Sequence, residues 1–185
     1  MKRIIHRDLR ERPSIPWLLE LYHQHDIRLI DWIRIDLGRG RYAGAYGRCW
    51  YAVPKLKRNY RISIQVPGPF PCRHFIYMPP LYANPDGQWP DPPAGCEIHA
   101  HVTATGRDGN KRQWRSVRKP FMLASVDEGI VHIGAHELFH FLRRTRQIPG
   151  RNSQAEADQY AHEQLERWIR EHKTNRATAL PRTTV

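Results

Sequence analysis

From Asp127 to Gln147 the chain reads DEGIVHIGAHELFHFLRRTRQ, and this stretch limits the fold more than any other. Its periodicity predicts one helix, opened by Asp127 as cap and stopped by Pro149-Gly150. Ile133, Leu138, Phe139 and Leu142 surround its middle, so the helix must be anchored in the core. Within it, His136 and His140 lie one turn apart and present their imidazoles from one face. Two imidazoles at that spacing can occupy adjacent corners of a zinc tetrahedron. Glu137 falls ~100° round the helix, where its carboxylate can take a proton from water that the metal has made acidic. The competing reading is an amphipathic helix with solvent-facing histidines, and the apolar neighbours argue against it. His132 continues the same face but sits ~12 Å from His140, too far to share one ion with both. It is read as a packing or orienting residue.

Around this helix the remaining patterns are those of an α+β fold. The segment from Pro13 to His25 places Ile15, Leu18, Leu19 and Tyr22 at helical spacing, with Ser14 as cap. Trp32, Arg34 and Asp36 alternate with Ile33, Ile35 and Leu37, which predicts a strand with one buried face. The glycine-rich segment from Arg39 to Val53 reads as a second extended stretch, and Arg61 to Val66 as a third. Residues 67–95 are proline-rich and read as a long loop pinned by aromatics. Glu97 to Thr105 and Lys111 to Val117 flank a GRDGN turn, predicting a hairpin. A last helix is expected from about Ser153 to His172, with 173–185 as a flexible tail. The expected organisation is one domain over 1–172.

A catalytic zinc needs a third protein ligand and one open position. The HExxH sequence, a short connection, and a helix carrying Glu-Ala-Asp at 156–158, followed by an aromatic residue and alanine, together resemble the small gluzincin-type zinc peptidases. These include the SprT-like proteins and related phage and bacterial metallopeptidases. The segment from Ile35 to Ala52 is similar to the Arg- and Gly-containing extended segment that precedes their active helix. The resemblance spans about Ile33 to Tyr160. It implies a zincin-like fold: a small, mainly antiparallel sheet, the HExxH helix, and a C-terminal helix bearing a ligand. It also implies Zn2+ as cofactor, a peptide or protein substrate, and for some relatives an association with DNA. In those families the third ligand is usually a glutamate four residues before the Asp, and here that position is Gln154. Taking Ala157 as zero and ~100° per residue, Gln154 falls near ~60° and Asp158 near ~100°, both inward, while Glu156 points away. Asp158, the nearest inward carboxylate, is taken as the third ligand, with Gln154 and Glu156 as alternatives.

Four other side chains are candidates for the cleft or for an oxyanion donor. His99 and His101 share one face of a predicted strand, and Tyr160 and His162 follow the Glu-Ala-Asp segment. The competing reading makes the first pair half-exposed strand histidines. The net charge of +12 points to DNA or another polyanion as a partner, against evenly spread arginine as the bland explanation. Tyr42, Tyr46, Trp50 and Tyr51 interleave with glycine and arginine in a way that suits a phosphate backbone, or simply a solvated strand face. Three widely spaced cysteines make no CxxC pair and read as free thiols in a reducing compartment. No stretch approaches ~20 apolar residues, so no membrane span is expected, and the basic start lacks the apolar run of a signal peptide. A cytoplasmic monomer is the expectation.

Overall fold

The computed structural model describes residues 1–38, 46–56, 58–106 and 108–178, with the side chains of 46, 56 and 173–178 outside that description. Chain order is β1 (Lys2–Ile5), α1 (Ser14–His23), β2 (Ile30–Leu37), β3 (Tyr46–Trp50), β4 (Tyr60–Val66), β5 (Cys72–Leu81), β6 (Glu97–Thr105), β7 (Lys111–Leu123), α2 (Val126–Arg144) and α3 (Gln154–Thr178). The architecture among the described residues is α+β, with three α-helices and two sheets. The chain divides into two compact units. One comprises 1–72 with 123–185, and the other is 73–122, inserted between them.

The first unit is built on a four-stranded sheet in the order β1-β2-β4-β3. It is mixed rather than mainly antiparallel: β1 pairs parallel with β2, β2 parallel with β4, and only β3 runs antiparallel to β4. The reason lies in the connection, because α1 carries the chain from β1 back to the start of β2, and a helical crossover requires parallel strands. The strand β1 has no counterpart in the sequence reading, since its four residues carry too little alternation to register.

The expected period of two in β2 and β4 is observed. Ile33 faces Ile62 and Ile35 faces Ile64 across the pair, all four buried. Each contributes roughly 1.5–3 kcal/mol relative to exposure. Against this inner face pack Ile15, Leu18, Leu19 and Tyr22 of α1 and Ile130, Ile133, Leu138, Phe141 and Leu142 of α2. Gly134 allows the close approach: a Cβ there would meet both Leu18 and Ile64. The wholly buried Tyr22 hydroxyl donates to the Gly134 carbonyl at 2.8 Å, which satisfies a polar atom that would otherwise be costly to bury.

Two caps differ from expectation, and for one reason. Asp127 does not cap α2. Its carboxylate accepts from the Ser14 hydroxyl at 2.7 Å and pairs with Arg12 at 3.3 Å, so neither Ser14 nor Asp127 is available as a cap. Ser125 takes the role for α2, accepting from the Glu128 N–H, while Glu128 accepts from the Ala124 N–H.

In the second unit the sheet order is β5-β7-β6. The hairpin is as expected, with Thr105 opposite Lys111. The proline-rich stretch is not all loop, because Cys72–Leu81 forms β5. Pro79 and Pro80 are tolerated there since β5 lies at the sheet edge, where a missing N–H breaks no central ladder. Glu97 gathers Arg118 at 2.6 Å and Arg73 at 3.0 Å, and the Arg118 guanidinium lies 3.7 Å from the Phe75 ring centre.

Candidate metal centre

α2 turns the predicted pair inward: His140 and Glu137 are buried and His136 is largely so. The two imidazoles meet edge to face, and their Nε2 atoms converge at 3.0 Å. Each opposite nitrogen is held. His136 Nδ1 lies 2.6 Å from Asp158 Oδ1, and His140 Nδ1 lies 2.6 Å from Asn152 Oδ1. Oxygen acceptors at both Nδ1 atoms place a proton there and leave two Nε2 lone pairs facing each other. That arrangement is repulsive unless a proton or a cation lies between them. Tetrahedral zinc at ~2.0–2.1 Å from each nitrogen would need the pair ~3.3 Å apart, a widening of about 0.3 Å. The geometry fits a metal.

The two imidazoles are shifted in opposite directions. Burial works against charge on His136, but hydrogen bonding and charge from Asp158, with Glu137, outweigh it, and the pKa is raised. For His140, burial together with the neighbouring His136 lowers the pKa, although Asn152 acts the other way.

Asp158 is thus at the orienting position, behind the His136 ring and away from Nε2, not at the coordinating position expected for it. Its burial agrees with the helical reading that turned it inward. Gln154 is solvent-exposed rather than turned into the core, and its amide acts to raise the pKa of both imidazoles. Glu156 lies on another side of α3, 3.6 Å from Arg143. Among the described residues no three His, Cys, Asp or Glu side chains converge on one point.

Glu137 is aimed at β3. A Cβ on Gly47 would stand 2.8 Å from both Glu137 Cγ and Cδ, so the glutamate lies directly on the glycine backbone. Burial pushes its carboxyl up to about 7, against the lowering influence of His136 and of the Cys49 N–H that it accepts. A carboxyl poised there can hold or release a proton at neutral pH. Its own presence, after burial, pushes the Cys49 thiol up to about 12.

No family model, curated protein or solved structure matches this chain. The centre therefore rests on its own geometry.

His99 and His101 lie on β6 of the inserted unit, ring to ring with Tyr77 and Trp89. Within the first unit, the antiparallel edge strand beside α2 is β3. Tyr160 packs on Phe139 with ring centres 5.7 Å apart, and its charged neighbours are Arg167 and Glu163. His162 pairs with Glu166 one turn further along α3. His132 is buried in the core, as its packing role implied. Tyr42 lies outside the described residues. Sequence reasoning missed Asn152, an ordinary connecting residue until the fold brings it to His140. It missed Gly47 too, whose partner Glu137 is 90 residues away in the chain.

Proposed function

We propose that the chain is a zinc-dependent peptidase of zincin-like fold, with His136 and His140 holding the metal through Nε2 and the Gln154 amide as third donor. The carrying observation is the convergence of two Nε2 atoms at 3.0 Å while both Nδ1 atoms are tied to oxygen. Asp158 and Asn152 fix the tautomer and orientation of the two ligands. Bound there, zinc supplies Lewis-acid polarisation of a carbonyl and acidifies water. Glu137 receives the proton from the attacking water and delivers it to the departing amine, a role suited to a carboxyl held near neutrality. The antiparallel edge strand β3, on which Glu137 lies, offers backbone for an extended peptide to pair with. The +12 charge supports substrates that are themselves associated with DNA.

A second reading rests on Gln154 in place of a carboxylate: a non-catalytic zincin-like protein that binds nucleic acid. The deciding test combines zinc content by mass spectrometry of untagged protein with cleavage of an unfolded protein substrate. The peptidase reading expects about one zinc per chain, lost in His136→Ala, and cleavage abolished in Glu137→Gln with zinc retained. Equal activity in Glu137→Gln would rule it out.

A further inference from the structure

The helices cover one face of the four-stranded sheet, and the composition of the opposite face is unlike an ordinary solvated surface. The registers define it. Lys2, Trp32, Arg61 and Trp50 form one row across β1, β2, β4 and β3. Ile4, Arg34, Ser63 and Arg48 form the next. The rings and guanidinium groups are layered: Arg48 lies 3.6 Å from the Trp50 ring centre, and Arg61 lies 5.8 Å from Trp50 and 5.9 Å from Trp32. Trp50 is 38% exposed. Lys2, Arg34, Arg48 and Arg61 share this face with Asp36, which Arg34 engages.

We propose that this face binds single-stranded nucleic acid. Four cations on one sheet face supply phosphate contacts, and the tryptophans supply stacking surfaces that need no particular base. A guanidinium lying on a tryptophan presents a further flat face on which a base can stack. Duplex bases are already stacked on one another, so exposed rings on this face select the unpaired strand. The face stands apart from the metal centre, whose side chains all project from α2, α3 and their connection.

The test is fluorescence anisotropy of a labelled thymidine oligonucleotide titrated with the full chain over a range of salt. Duplex of the same length and heparin serve as competitors. Trp50→Ala is expected to weaken binding about tenfold, the worth of one stacked base, and Trp50→Phe to restore most of it. Trp32→Ala should act likewise. Arg48→Gln and Arg61→Gln should each flatten the salt dependence by about 0.7 in slope. Arg170→Gln on α3 removes the same charge and should change little. Zinc content should stay unchanged in all five face variants, so that failure here is distinct from failure of the metal centre. Absence of binding at low salt would overturn the proposal. So would unchanged affinity in Trp50→Ala, or equal competition by duplex and heparin.

Discussion

Glu137 lies where only a glycine at position 47 leaves it space. A methyl group at Gly47 would occupy the space of the carboxylate, so Gly47→Ala must push the glutamate off β3. Displacement by about 1 Å costs about a hundredfold in a catalytic step, so kcat should fall by that order while zinc content is kept. The same burial makes Glu137 a stability switch in metal-free protein. Its carboxyl titrates at about 7 when folded and near ~4.3 when unfolded, so between these values the native state holds a proton that the unfolded state has lost. Stability should therefore decline as pH rises from about 4.3 to 7, by up to roughly 4 kcal/mol, and then level off. Denaturant titrations of metal-free wild type and Glu137→Gln should show the slope in the first and its loss in the second. For the ligands, Asp158→Asn and Asn152→Ala should each weaken zinc binding about 10- to 100-fold, read by competition with a chelating dye. At this scale the sequence was legible where chemistry follows helical spacing, at His136, Glu137 and His140. It was silent where a contact joins residues distant in the chain, as at Gly47 and Asn152.

Among the elements, α2 was the most legible because its apolar residues and histidines share one period. Its first turn was misjudged because Asp127 and Ser125 both look like caps, and only the fold shows that Ser14 claims the aspartate. Ser125→Ala should cost about 1 kcal/mol, or a fall of about 2–4 °C in Tm by calorimetry, with the metal-binding residues undisturbed. Period-two alternation identifies a strand but does not say which sheet it joins, so the separation of β4 and β6 into different sheets is visible only in the fold. Proline was over-weighted as well. In β5 it marks an edge position, whereas the sequence alone suggested loop.

At the level of the molecule, the two-unit organisation was not legible, because no shift in composition marks residues 73 and 122. Every side chain of the metal centre and all of its supporting core belong to the first unit. Replacing 73–122 with a short Gly-Ser linker should therefore leave zinc binding intact, checked by metal content and by cooperative unfolding of the shortened chain. No helix among the described residues is long and apolar enough to cross a membrane.

Asn152, Gln154 and Asp158 reach the two imidazoles on a single stretch of seven residues that opens α3. On the proposed zinc reading, docking of that helix and metal binding are thermodynamically linked, and each strengthens the other by the same amount. Chelation should raise amide hydrogen exchange in the first two turns of α3 more than in α1. A substitution that loosens Ala157 or Ala161 from the core should lower metal affinity without touching a ligand.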